Sequence, residues 1–294
     1  MSIETHGEVR TTIVGGRTVA WATYGDPYGT PVVYFHGAGG SRLEARVLDR
    51  EAEAAGLQIL SIDRPGCGRT DPMPNRTLLR SVTDLSAVLD AESVDRVAVS
   101  GLSAGAMYAW ASAEAYGDRI SHVVVASPAM NIEPYDDVRA ALSGQFKLMM
   151  FLATRAPGVL AAMQRRQGKV LQGPDGQAKT AKAMRKISPD DATLLEDTEM
   201  YREFRLITTE GRRQGSQGGE EFALIGRPWG FDPAAQTTPC TVIYGSTDPL
   251  TPGIRAWLSH APNAQSCEVP GGHLQTMLPA GRAALIDALA TSAA

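Results

Sequence analysis

Between the apolar run Arg96–Ser100 and a helical pattern over Ala104–Tyr116, the chain reads Gly101-Leu102-Ser103-Ala104-Gly105. A strand that turns into a helix within a few residues leaves little room at the turn. The residue at the apex is forced into a strained backbone conformation, so its neighbours two positions either way must be small. Gly101 and Gly105 meet that demand, and Ala104 and Ala106 keep the approach to the serine uncrowded. The pattern commits this stretch to an α/β layer. It also aims the Ser103 hydroxyl out above the carboxyl end of its strand, beside the free N–H groups at the start of the next helix.

The flanking segments keep the same rhythm. Val9–Val14 and Thr18–Tyr24 surround Gly15-Gly16, which predicts an antiparallel hairpin turning at positive φ. Pro31–Phe35, Gln58–Ile62, Arg96–Ser100 and His122–Ala126 are short apolar runs separated by helical patterns at Leu43–Ala55, Leu78–Ala91 and Ala104–Tyr116. Such alternation predicts βαβ units and a mostly parallel sheet flanked by helices. From residue 130 to 233 strand-like runs disappear, and helical periodicity places Phe146, Met149, Met150 and Ala153 on one face. Ser188 followed by Asp191 predicts a capping-box variant opening one long helix through Glu199 and Arg205. GPDG (173–176) and GSQGG (215–219) mark joints between helices. Thr241–Tyr244 and Ser266–Val269 then read as strands, and Gly253–His260 and Leu274–Ala290 as helices. The expectation is an eight-stranded α/β core over 1–129 and 234–294, with 130–233 inserted as a helical lid.

Composition narrows the partners. Hydrophobic residues make up 43 % and charged residues 20 % of the chain, ordinary globular usage. A net charge of −4 without a dense basic run gives no nucleic-acid footprint. The start, MSIETHGEVR, has no hydrophobic segment of the signal-peptide kind, and the apolar stretch Phe146–Ala153 is interrupted by Lys147 and far shorter than a membrane span. No membrane partner and a cytoplasmic location are therefore expected. Cys67, Cys240 and Cys267 show neither metal-ligand spacing nor a disulfide framework. Cys240 and Cys267 sit in strand-like runs and are expected to be buried thiols. No metal or cofactor is expected.

An exposed serine hydroxyl needs a base, and the chain offers five histidines. His6 lies in the polar start, His36 ends a strand, His122 begins one, and His260 ends a helix, where a cation suits the dipole; all four read as structural. His273 follows Pro270-Gly271-Gly272 just past the last strand, at the same end of the sheet as Ser103. Its imidazole requires an acid to hold one tautomer. Asp248 fits, in Gly245-Ser246-Thr247-Asp248-Pro249 after another strand, unless it merely caps the helix that starts near Pro252. Asp63, in DRPGCGR, reads instead as a turn organiser paired with nearby backbone or Arg64. The backbone amides of Ala104 and of Ala38, in the loop His36-Gly37-Ala38-Gly39-Gly40, are the candidate oxyanion donors. A phosphate loop is excluded on pattern, because no Lys-Ser/Thr follows and G-x-G-x-x-G is not met.

Together, HGAGGSR (36–42), DRPGCGRTDP (63–72), GLSAG (101–105), GSTDPLTP (245–252) and GGHL (271–274) resemble the α/β-hydrolase superfamily in its lid-bearing form. The chain is similar, more narrowly, to actinobacterial members with an HG-x-x-GSR loop, in which an RPWGF stretch like 227–231 closes the lid. The resemblance implies the α/β-hydrolase fold, with Ser103, Asp248, His273 and the Ala38 and Ala104 amides as working parts. Epoxide hydrolases and haloalkane dehalogenases of the superfamily use an aspartate nucleophile, and Ser103 argues against both. Cys67 stands where relatives often carry an aromatic residue, which would alter the pocket wall.

The chemistry expected is acyl transfer on a small or medium, mostly apolar molecule: an ester, thioester, lactone or activated amide. Phe146, Met149, Met150 and Ala153 are expected to roof its pocket, with Trp229 and Phe231 near the return to the core. Elimination, C–C cleavage or cyclisation by the same Ser103/His273 pair is the alternative. A ligand receptor on this fold would not need all three of Ser103, Asp248 and His273.

Overall fold

The computed structural model describes residues 7–215 and 219–293, so His6 and the middle of the GSQGG joint lie outside the described residues. Eight strands form one sheet: β1 (Val9–Val14), β2 (Arg17–Gly25), β3 (Thr30–Phe35), β4 (Leu57–Ile62), β5 (Val97–Leu102), β6 (Ile120–Ala126), β7 (Cys240–Gly245) and β8 (Ala264–Val269). Their order is β1-β2-β4-β3-β5-β6-β7-β8. β1 and β2 form the hairpin, turning on Gly15 and Gly16 at φ 58° and 80°. β2 also runs antiparallel to β4, and every other neighbour is parallel.

Strands buried on both faces should be almost continuously apolar, and β5, with all six residues buried, is such a strand. Alternation along β3 feeds two cores. Val33 and Phe35 pack on one face with Val99, Trp110 and Trp257, while Val32 and Tyr34 pack on the other with Leu48 and Leu289.

In the first half of the chain α1 (Asp49–Ala54), α2 (Leu78–Ser81), α3 (Asp84–Ala91) and α4 (Gly105–Tyr116) connect the strands. α4 is buried from Gly105 to Ala113, which explains why it is apolar all round. Its Trp110 ring lies 5.1 Å from Trp257 and 6.3 Å from Trp229, centroid to centroid. Between β6 and β7 come α5 (Asp136–Ala141), α6 (Gly144–Arg155), α7 (Pro157–Gln172), α8 (Gly176–Met184), α9 (Pro189–Glu196), α10 (Thr198–Gly211) and α11 (Gly219–Ile225). The chain ends with α12 (Thr251–Leu258) and α13 (Pro279–Ala293) around β8.

Several expected elements are divided. The long helix from Ser188 through Arg205 breaks at Asp197, whose extended backbone (ψ 129°) leaves α9. The Asp197 carboxylate then caps α10, accepting from the Glu199 and Met200 N–H groups at 2.9 and 3.0 Å. Ser188 makes no capping bond; its buried hydroxyl has no partner among the described residues. Leu78–Ala91 is interrupted at Val82-Thr83. Leu43–Ala55 begins as a 3-10 turn, Arg42–Leu48, before α1. Leu274–Ala290 begins as a 3-10 turn, Gln275–Met277, and the helix proper starts at Pro279.

Cys267 corrects the expectation of burial. β8 is the edge strand, with its middle residues exposed, and Cys267 is exposed with them. Cys240 is half-buried and Cys67 buried. No single helix among the described residues is long and apolar enough to cross a membrane; α6 and α7 pass that test only as a pair, bent by 120°.

Candidate active site

The turn after β5 shows why its sequence is so restricted. Ser103 lies at φ 54°, the left-handed region that a side chain adopts at a cost of about 1–3 kcal/mol. A Cβ on Gly101 would meet the Gly105 carbonyl carbon at 2.3 Å, and one on Gly105 would meet the Phe35 carbonyl oxygen at 2.0 Å. Glycine at both positions lets β5, α4 and β3 approach, and the serine is held at the apex. Ser103 N–H donates to the Ala126 carbonyl (2.8 Å) and its carbonyl accepts from Ala106 and Ala129 N–H (3.1 and 3.0 Å).

The structure brings Ser103, His273 and Asp248 together from three loops at one end of the sheet. Ser103 Oγ lies 2.9 Å from His273 Nε2, and His273 Nδ1 lies 3.0 Å from Asp248 Oδ2. A neutral ring protonated at Nδ1 donates to Asp248 and accepts from the serine. Asp248 is buried, and its second oxygen accepts from Leu250 N–H at 2.8 Å just ahead of α12. It therefore organises the start of that helix and holds the imidazole as well. Burial opposes ionisation of Asp248, but His273 and the Leu250 N–H outweigh it and hold its pKa below the usual value. Burial alone would lower the pKa of His273. The Asp248 carboxylate prevails, with help from Asp191 and Glu44, and raises it to about 9.

Asp191 is a residue that sequence reasoning assigned to a helix cap and that acts elsewhere. From α9 its buried carboxylate accepts from His273 N–H and Leu274 N–H, each at 2.9 Å. A Cβ on Gly272 would sit 2.5 Å from Asp191 Oδ1 and from Ser188 Oγ, so glycine is what lets the His273 loop press onto α9. The preceding residue, Asp190, accepts a hydrogen bond from the Thr247 hydroxyl on the Asp248 loop.

The other described histidines are engaged elsewhere. His36 is fully buried; Arg64 N–H donates to its Nε2 at 3.3 Å and its Nδ1 faces the Gly37 carbonyl at 2.9 Å. Burial first, then Arg64, keeps it neutral, its pKa well below the ordinary value. His122 contacts the Thr241 hydroxyl, and His260 meets Asp137 while stacking on Tyr135. Asp63 organises its turn, but not through Arg64. It accepts from Arg42 N–H and Nη1, both at 2.7 Å, and from Arg69 N–H at 2.9 Å. Arg64 instead donates to Glu221 of α11 at 2.7 Å and to the Gly37 carbonyl at 2.7 Å, with its guanidinium 4.6 Å from the Tyr108 ring centroid. Arg76 and the Tyr108 hydroxyl complete the set around Glu221 at 2.8 Å each. No sequence signal marks Glu221 or Asp191 for these roles, since their partners lie 82 or more residues away.

A cavity of about 360 Å³ lies over Ser103 and is also lined by Ala38, Ala104, Asp248 and His273. Phe146 and Met149 of α6 line it, with Phe204 and Ile207 of α10 and Phe222 and Ile225 of α11. Met150 and Trp229 do not. α6 packs against α11, and Met150 turns away from the cavity towards the end of α11, its Cβ 3.7 Å from a Cβ built on Gly226. Trp229 is buried against Trp110, its indole N–H donating to the Leu224 carbonyl at 3.0 Å. Ala153 and Phe231 are also outside the lining, as is Cys67. A more open depression of about 850 Å³ around Arg96, Glu114 and Asp118 contains none of Ser103, Asp248 and His273. Among the described residues no cluster of His, Cys, Asp or Glu could hold a metal ion.

Comparison with known proteins adds the family. A family model described as alpha/beta hydrolase family matches residues 32–288. The chain is 27 % identical over 249 residues to a 2-hydroxy-6-oxononadienedioate/2-hydroxy-6-oxononatrienedioate hydrolase of Cupriavidus pinatubonensis, covering 80 % of this chain and 76 % of that protein. Matches to relatives from Bacillus subtilis and Streptomyces coelicolor span only 54 % and 38 % of those proteins, at 28 % and 29 % identity. Among solved structures, the enol-lactonase of Burkholderia xenovorans LB400 superposes with a TM-score of 0.68 at 17 % identity, over 96 % of this chain and 99 % of that one. Epoxide hydrolase A of Mycobacterium thermoresistibile does so with a TM-score of 0.69 at 21 % identity, over 96 % and 97 %. At these identities the likeness is one of fold.

Proposed function

The chain belongs to the alpha/beta hydrolase family, and from that premise we propose that it is a serine hydrolase cleaving an ester-type bond through an acyl-enzyme on Ser103. The observation that carries this reading is the continuous contact from Ser103 Oγ through His273 to Asp248, at 2.9 and 3.0 Å, opening on a largely apolar cavity. In the proposed reaction His273 Nε2 takes the hydroxyl proton as Oγ attacks the carbonyl, then delivers it to the leaving group. Water activated by the same nitrogen releases the acid. Asp248 fixes the ring and stabilises imidazolium without itself taking the proton.

The Ala38 and Ala104 amides would receive the developing oxyanion, each contributing about 3 kcal/mol. Ala104 immediately precedes α4, where N–H groups and the helix dipole favour negative charge. Residues 130–233 act as a lid in this reading, because α6, α10 and α11 supply the apolar wall facing Ser103. A cavity of this size and lining suits a small or medium, mostly apolar substrate.

The test is hydrolysis of a chain-length series of p-nitrophenyl esters by the wild type, Ser103→Ala, His273→Ala and the double variant. Each single change should lower kcat by orders of magnitude, and the double variant should be little worse, because the groups act as a unit. Losses that multiply in the double variant would contradict the proposal.

A further inference from the structure

One carboxyl group at the cavity wall is only half engaged. Glu44 lies on the 3-10 turn that follows the Gly37–Gly40 loop. Its Oε1 accepts from Gly37 N–H at 2.9 Å and from the Tyr34 hydroxyl at 3.0 Å. Its Oε2 has no donor among the described residues, and Glu44 lines the cavity over Ser103. Both oxygens of Asp191 and both of Asp248 in the same wall are occupied. No lysine or arginine lines this cavity.

The space in front of Oε2 is small and adjoins the serine. A Cβ placed on Gly37 would lie 3.5 Å from Glu44 Oε2 and 3.7 Å from Ser103 Cβ, leaving room for one methyl-sized group between them. A Cβ on Gly40 would come within 2.7 Å of the same oxygen, so glycine there keeps it uncovered. Burial raises the Glu44 pKa to about 7, against the pull of the Gly37 N–H, the Tyr34 hydroxyl, Arg64 and His273. A donor from a ligand would complete the hydrogen bonding that the protein leaves open.

We propose that Glu44 Oε2 recognises a hydrogen-bond donor, a hydroxyl or ammonium, on the carbon next to the reacting carbonyl of the substrate. The inference rests on Ser103 being the nucleophile, which fixes where that carbonyl lies. It narrows the substrate class to donor-bearing esters. An acceptor that a bound ligand cuts off from solvent is costly to leave unmet, so a ligand lacking the donor is penalised. A ligand bearing a carboxylate meets three acids and no lysine or arginine.

Methyl 2-hydroxyoctanoate and methyl octanoate form a matched pair of probes. Above the Glu44 pKa of about 7, where the carboxyl is ionised, the wild type should favour the hydroxy ester by about tenfold to a hundredfold in kcat/KM, the range of a hydrogen bond to a charged group. Glu44→Gln keeps an oxygen for Gly37 and Tyr34 but presents an NH₂ donor to the cavity, so the preference should collapse towards unity. No preference in the wild type, or a preference that survives in Glu44→Gln, would overturn the proposal. A parallel fall with both esters would do the same, leaving Glu44 only the Gly37–Gly40 loop to position. Calorimetric binding of the same pair to Ser103→Ala and to Ser103→Ala/Glu44→Gln needs no turnover. Retained hydroxyl preference in binding with no hydrolysis by the wild type would fault the nucleophile assignment alone. Hydrolysis without preference would fault the Glu44 site alone.

Discussion

Asp191→Asn tests whether α9 positions the His273 loop. The carboxylate holds two adjacent amides, His273 N–H and Leu274 N–H, at 2.9 Å each, and is only 2 % exposed. Asparagine offers one acceptor oxygen and sets an NH₂ group against the other amide. One charge-assisted hydrogen bond is lost outright, at about 1.5–3 kcal/mol, and a buried donor is left unmet. A net loss of about 2–3 kcal/mol would lower Tm by roughly 5 °C in a protein of this size. The imidazole hangs from the loosened backbone, and a displacement near 1 Å costs roughly a hundredfold in rate, so kcat should fall about tenfold to a hundredfold. Removing the charge also removes one of the influences that raise the His273 pKa, so the rising limb of the pH–rate profile should move to lower pH. Amide hydrogen exchange at residues 273 and 274, urea denaturation and kcat on a p-nitrophenyl ester read these effects together. Wild-type protection at both amides with wild-type kcat would refute the reasoning.

Three further outcomes follow from the same contacts. With the His273 pKa raised to about 9, kcat/KM should climb with pH as the ring deprotonates near that value. Asp248→Asn should move the climb down and lower kcat by about 10⁴-fold; a profile with the same midpoint in both proteins would contradict the assignment. The corresponding stability term is present below the ordinary histidine pKa and fades as pH rises through about 9. Glu221, buried with Arg64, Arg76 and Tyr108, has its pKa lowered to about 2, the two arginines outweighing burial. Its stabilisation is therefore present above the usual carboxylate range and lost as pH falls towards 2. Glu221→Gln should cost about 3–5 kcal/mol in urea denaturation at neutral pH, and a loss under 1 kcal/mol would count against that network. Phe146→Ala should change the preferred acyl chain length, whereas Met150→Ala should cost about 2–5 kcal/mol of stability and leave that preference alone. The reverse pattern would mean that the two faces of α6 are misassigned.

Local steric and periodic signals carried most of the fold. Every strand of the sheet was legible, because buried parallel strands such as β5 are continuous apolar runs and the hairpin turns on Gly15-Gly16. The turn at Ser103 was legible because its constraints act within five residues. Ser103, Asp248 and His273 could be named because each follows a strand at one end of the sheet. What failed to show was set by distant packing. Met149 and Met150 share one apolar stripe, and only the way α6 packs, with Met149 on the cavity and Met150 beside Gly226, separates their environments. The Ser188–Asp191 spacing suggested a cap, but the Asp191 carboxylate finds stronger use on amides 82 residues away. Cys267 sits in a strand whose edge position no local pattern reveals.

The central claim is that Ser103 is an activated nucleophile, and the intact mass after treatment with a fluorophosphonate tests it most directly. The account predicts a single adduct on the wild type, slowed in Asp248→Asn and absent in Ser103→Ala. An unmodified wild type, or an adduct that persists in Ser103→Ala, would contradict it.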